Sequence, residues 1–124
     1  MAAMSGIVAD VLLGTDIFID HLRGTRHLTV GADAVHYSVV TRAELFAGRG
    51  TEESRVVLLL APFRELAVDR TVSERAGRLR RGSSIRLPDA LIAATAMEHG
   101  CILVTRNVRD FEGIARLRIR QPRR

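Results

Sequence analysis

The stretch VLLGTDIFIDHLRG, residues 11–24, passes from strand to helix within two residues. Val11, Leu12 and Leu13 form a short apolar run of the kind that builds a buried strand. From Asp16 to Arg23 the apolar residues Phe18, Ile19 and Leu22 return at helical spacing. Gly14 and Thr15 make the turn between them. A strand feeding straight into a helix is the repeating unit of a parallel sheet covered by helices. Such folds place their chemistry just beyond the strands' carboxyl ends. Many α/β enzymes carry a catalytic carboxylate where this chain has Gly14.

The alternation continues outward from this unit. Residues 6–13 read as strand, 15–24 as helix, 36–40 as strand and 41–48 as helix. A helix over 52–63 ends near Pro62, followed by a strand over 65–69. Helices over 71–82 and 88–100 precede strands at 101–105 and 117–120. No repeat, low-complexity tract or linker interrupts the pattern. The 124 residues, 47% hydrophobic, therefore read as one globular domain over 1–124, of α/β class with a central parallel sheet. No apolar run approaches the ~18 residues that would span a bilayer. The opening MAAMSGIVADVLL lacks the basic region of a signal peptide and reads as strand. The single cysteine, Cys101, has no partner for an internal disulfide and suits a reducing cytosol, so a cytoplasmic location is expected.

The net charge is +5, and all 19 basic residues are arginine. The planar guanidinium fork suits phosphate, which points to a phosphodiester partner, although codon bias in a GC-rich genome also accounts for missing lysine. The absence of lysine excludes a phosphate-loop NTPase, a kinase and a lysine-assisted phospho-receiver.

Several carboxylates follow strands or open helices. Asp89 begins a helix that is apolar almost all round, on one stripe with Ile92, Ala93 and Ala96. Its place after Pro88 suits the helix dipole, but a carboxylate facing an apolar stripe also needs a donor or cation. TRAE, residues 41–44, has the form of a capping box, with Thr41 as N-cap and Glu44 reaching back. TVSE, residues 71–74, has the same form, so the pattern alone assigns Glu44 to capping. The first box differs in following a strand directly and in lying beside Ala47 and Gly48. Asp16, Asp20 and Arg23 share a polar helix face; Asp20 and Arg23 read as a solvated ion pair, whereas Asp16 is open to either orientation. Asn107 and Asp110 lie in a polar turn after the strand at 101–105. His21, His27, His36 and His99 show no metal-type spacing.

Three stretches taken together, LLGTDIFIDHLRG, TRAELFAG and LPDALIAATAMEHGCILVTRNVRDFEGI, resemble PIN-domain ribonucleases, specifically the VapC-type toxins of bacterial toxin–antitoxin pairs. The resemblance runs in order along essentially the whole chain, and PDALIAATA followed by LVTRN is its most specific part. It implies an α/β/α sandwich with acidic residues gathered at the strand ends to hold Mg²⁺ or Mn²⁺. Glu44 and Asp89 match two of those acids. Asn107 matches a further position, with Asp110 the nearest carboxylate, and Asp16 matches a polar position that supports the site. The resemblance further implies a VapB-type antitoxin, an RNA substrate, commonly a homodimer, and no membrane association.

Gly14 departs from the family pattern, where the first strand ends in a metal-binding aspartate and reads LLDT in place of LLGT. One reading is an inactivating change, natural or introduced. The other is a glycine that relaxes a tight turn. The intact motif around it favours inactivation.

The chemistry is coherent on its own terms. Hard divalent cations take oxygen ligands and can activate water against a phosphodiester. Glu44 and Asp89 would hold the ion, with Asn107 or Asp110 completing the set, while Arg42, Arg86 and Arg106 would contact RNA phosphates. A metal-dependent endoribonuclease toxin weakened at Gly14 is therefore expected. The alternative is a non-catalytic module binding RNA or antitoxin. A phosphotransferase of doubly wound fold is disfavoured, because GTD lacks a nucleophilic aspartate and lysine is absent.

Overall fold

The computed structural model describes residues 8–122. Five strands, β1 (Asp10–Leu13), β2 (Ala34–Ser38), β3 (Arg64–Leu66), β4 (Ile102–Val104) and β5 (Ile119–Arg120), form one sheet in the order β3-β2-β1-β4-β5. Every pairing is parallel. The chain first builds outward from β1 to β3, then returns to lay β4 against the other side of β1. The direction of growth therefore reverses between β1 and β4, the place where an open parallel sheet leaves a crevice for ligands.

Period-two alternation on β1 separates the two cores. Val11 and Leu13 pack with Ile17, Phe18, Tyr37, Leu45, Val56 and Leu60 on one face. That face is covered by α1 (Thr15–Arg23), α2 (Val39–Phe46) and α3 (Glu53–Leu60). Leu12 joins Val72, Ala76, Ile92, Ala93, Ala96, Leu103 and Phe111 on the other. That face is covered by α4 (Arg70–Arg80) and α5 (Leu87–Glu98). The result is the α/β/α sandwich. Helix α5 is short of large side chains, and its alanines let it lie close to the sheet with Ala90, Ala93, Ala94 and Ala96 fully buried.

The strands are shorter than the sequence suggests, and one boundary moves. Residues 36–40 were expected as strand, but β2 ends at Ser38 and Val39 and Val40 already belong to α2. Pairing with β3 ends at Ser38 opposite Leu66, so no ladder remains for the two valines. The Ser38 hydroxyl instead accepts the Val40 N–H and caps the helix. Both expected capping boxes are thereby corrected. Thr41 lies inside α2, and α4 is capped by the Asp69 carboxylate, which accepts the Val72 N–H at 2.9 Å. The strand expected from residue 6 begins at Asp10, and residues 6 and 7 of that expectation lie outside the described residues. Among the described residues no helix is long and apolar enough to cross a membrane.

Candidate active site

Gly14 sits at the sheet's reversal point, its N–H donating to the Val104 carbonyl at 2.9 Å across the ends of β1 and β4. It is the N-cap of α1 and has no side chain with which to cap it. The adjacent Thr15 and Asp16 face opposite neighbours. The Thr15 hydroxyl donates to Glu44 Oε1 at 2.7 Å and lies 2.9 Å from the Thr41 hydroxyl. Since Thr15 has one proton to give, the Thr41 hydroxyl is the donor in that second contact. Thr41 is fully buried, so this chain of hydroxyls anchors the half-buried Glu44 to the core of the first face. Glu44 is thus held across the sheet end by α1, and does not turn back to cap its own helix.

Asp16 is fixed from the other side. Its Oδ1 accepts the Thr105 hydroxyl at 2.9 Å and its Oδ2 accepts the Arg106 N–H at 2.8 Å. Thr105 is fully buried, and its oxygen also accepts the Asn107 N–H at 3.0 Å. The Arg106 guanidinium then grips Asp20 with two hydrogen bonds, 2.9 and 3.2 Å long. Asp20 is buried, not solvated, which corrects the expected surface pair with Arg23. The rule of strand ends points to the stretches 14–16, 41–44 and 105–110, but sequence reasoning gave the hydroxyls of Thr15, Thr41 and Thr105 no part in the site. A hydroxyl residue within two positions of each of two strand ends, Thr15 after β1 and Thr105 after β4, was the available signal.

Asp89 enters from the first turn of α5, half-buried. Burial raises its carboxyl above the ordinary aspartate range, and the charges of Asp110, Glu44 and Asp16 raise it further, against a lowering by Arg86. Four acids from four elements therefore act on one end of the sheet. Asp110 is exposed on a short 3-10 turn, Val108–Phe111, and Asn107 is exposed at the start of that turn. Glu74 is exposed on α4 and is not among the charges that act on Asp89.

The three arginines differ. Arg42 donates to Glu65 at 2.5 Å and to the Tyr37 hydroxyl at 2.9 Å, so its charge is engaged within the fold. Arg106 is engaged by Asp20. Arg86 is exposed at the N-cap of α5, and its charge acts on Asp89.

The donors are all oxygens, and they strain against one another's charge, which fits a hard cation. Among the described residues, no three acidic, histidine or cysteine side chains already close around a single point. The donor set fits a divalent ion in its chemistry, with the place nearest β1 lacking a side chain.

A family model described as the PIN domain matches residues 11–117. Among solved structures, a toxin–antitoxin complex from Klebsiella pneumoniae is similar at 33% identity, over 86% of this chain and 93% of that one, with a TM-score of 0.74. VapBC-5 from Mycobacterium tuberculosis matches at 25% identity over 94% of this chain and 99% of that one, with a TM-score of 0.67. VapBC2 from Rickettsia felis, bound to a DNA fragment from its promoter, shares the fold at 22% identity over 91% and 98%, with a TM-score of 0.76. No curated protein sequence matches the chain significantly.

Proposed function

The chain belongs to the PIN-domain family, and on that premise we propose that it is the toxin of a VapBC-type pair, a divalent-metal-dependent endoribonuclease weakened at Gly14. The observation that carries this reading is the raised Asp89 carboxyl, burdened by Asp110, Glu44 and Asp16 together. Like charges crowded at the reversal point of a parallel sheet are what a bound cation relieves. Glu44 and Asp89, with Asn107 or Asp110, would hold Mg²⁺ or Mn²⁺, which would supply Lewis acidity for phosphodiester hydrolysis. Thr15 and Thr41 aim Glu44. The clasp of Thr105 and Arg106 on Asp16 and Asp20 holds the turn bearing Asn107 and Asp110 against α1. Arg86 is the arginine best placed to hold an RNA phosphate, since Arg42 and Arg106 serve internal pairs.

The partner follows from the same surface. A groove of about 310 Å³ runs between α1, α2 and α3 over Ile19, Leu22, Leu45 and Val56, with Glu44 in its wall. It suits an amphipathic antitoxin segment with apolar anchors, acidic groups facing Arg23, Arg49 and Arg55 of the groove wall, and a basic tip at Glu44 where the cation would stand. Antitoxin binding should therefore weaken when Asp89 becomes Ala, and unchanged affinity would place the inhibitory contact elsewhere. A homodimer is part of the proposal. The exposed Val57 and Leu58 of α3 are apolar side chains available to it.

The test is cleavage of an RNA panel with Mg²⁺ or Mn²⁺, and with a chelator as control. The native chain should be nearly inert. Gly14→Asp should raise chelator-sensitive cleavage ~10-fold or more and make expression toxic without antitoxin. Robust chelator-sensitive cleavage by the glycine form would make Gly14 a mere turn residue. A folded but inert Gly14→Asp protein would favour the binding-module alternative.

A further inference from the structure

Gly14 is not required by its own backbone. Its φ of −68° and ψ of 159° are open to any residue. What occupies the space of a side chain there is Asp16. A Cβ added to Gly14 would lie 2.7 Å from Asp16 Oδ1, an overlap, and 3.3 Å from the Val104 carbonyl oxygen, a tight contact. Thr105 Cβ, at 3.5 Å, would be in ordinary contact. The Asp16 carboxylate is held in that place by the buried Thr105 hydroxyl and the Arg106 N–H, both from the end of β4. Its Oδ1 is about as far from that hypothetical Cβ as the carboxylate oxygens of an aspartate at position 14 would themselves be. Each Asp16 oxygen accepts one of these hydrogen bonds, which leaves lone pairs on both for a further partner.

We propose that Asp16 stands in partially for the carboxylate missing at position 14, keeping a cation bound without restoring the geometry that an aspartate at 14 would give. With glycine there, the Asp16 side chain leans back over the end of β1 and supplies an acid to the divalent-cation site shared with Glu44 and Asp89. This rests on the cation-dependent reading above and adds that Gly14 and Asp16 are a coupled pair. A side chain at 14 would push Asp16 Oδ1 from its present place.

Two measurements on the full chain test this without reference to nuclease activity. The first is Mn²⁺ affinity, read from the electron paramagnetic resonance of free Mn²⁺. Asp16→Ser should weaken binding ~10-fold or more. Asp16→Asn, which keeps the size and removes the charge, should do the same and guards against a folding defect in the serine variant. The second is the metal-free unfolding temperature. Gly14→Ala should lower it in the native background and lower it much less in the Asp16→Ser background, because the overlapping oxygen is gone. Native-like Mn²⁺ affinity in both Asp16 variants, alongside loss of binding in Asp89→Asn, would overturn the role of Asp16 and leave the cation site standing. An equal effect of Gly14→Ala in both backgrounds would overturn the coupling. No Mn²⁺ binding by the native chain, or binding indifferent to Asp89→Asn, would overturn both this inference and the reading beneath it.

Discussion

Asp89 carries its charge against its surroundings, and that has a measurable consequence. Burial and the neighbouring acids place its folded-state pKa above the unfolded value. Its contribution to stability is therefore fully present below the unfolded value and is lost as pH rises through the folded one. Without metal, the native chain should gain stability on acidification through the range just above the ordinary aspartate pKa. Asp89→Asn should unfold at a higher temperature than the native chain at neutral pH and lack that gain. A lower unfolding temperature for Asp89→Asn at neutral pH would mean that the charged form is favoured where it stands. Cys101 behaves oppositely in role, as a packing residue. Burial foremost, then the charge of Asp10, pushes its thiol up to about 11. Alkylating reagents at mildly alkaline pH should leave it untouched in the folded chain and modify it on unfolding. Asp89 stood out in the sequence as a carboxylate on an apolar helix stripe, whereas the pattern around Glu44 read as a cap and only the family resemblance proposed it for the site. Asp20 did not stand out. Its position on the face of Asp16 and Arg23 reads as solvent, and its true partner, Arg106, lies 86 residues away in the chain.

At the scale of elements, the strand-to-helix junctions decide which side chains reach the site. Capping α2 with Ser38 instead of Thr41 moves the helix start back by three residues. That places Thr41 in the core and brings Glu44 round to Thr15. Ser38→Ala should then cost about 1 kcal/mol in denaturant unfolding, and so should Asp69→Ala at the start of α4. Thr71→Ala should stay within about 0.5 kcal/mol, as befits an exposed residue that caps nothing. A larger loss at Thr71 than at Asp69 would restore the box that the sequence pattern suggested. The clasp between α1 and the end of β4 belongs to this scale as well. Asp20→Ala removes two charged hydrogen bonds from a pair whose arginine side chain is 48% exposed, so about 1–2 kcal/mol is expected. Element types were legible from periodicity, whereas their ends were not. β2 stops where its partner β3 runs out of ladder, and that is a pairing, which no local pattern records.

At the scale of the molecule, the fold does one thing for the chemistry. Parallel strands end on the same side, so residues after β1 and β4, within α2 and at the start of α5 converge although the sequence scatters them. The α/β alternation made this class of architecture legible, and the rule of strand ends pointed to the side where Gly14, Thr15 and Asp16 lie. The strand order could not be read, since it depends on β4 returning to β1 instead of continuing beyond β3. Nor could the part played by Gly14, because the space above it is filled by a side chain two residues away and fixed by a strand ninety residues on. A chain of net charge +5 whose Asp16, Glu44 and Asp110 bear on Asp89 at one end of the sheet suits the proposed cation there and the proposed polyanion around it. The position of that cation is the most direct test of the proposed site. Crystals of the native chain equilibrated with Mn²⁺, recorded for anomalous scattering, should show a peak at the ends of β1 and β4 within coordination reach of Glu44, Asp89 and Asp16. No peak there at millimolar Mn²⁺, or a peak held by other residues, would contradict it.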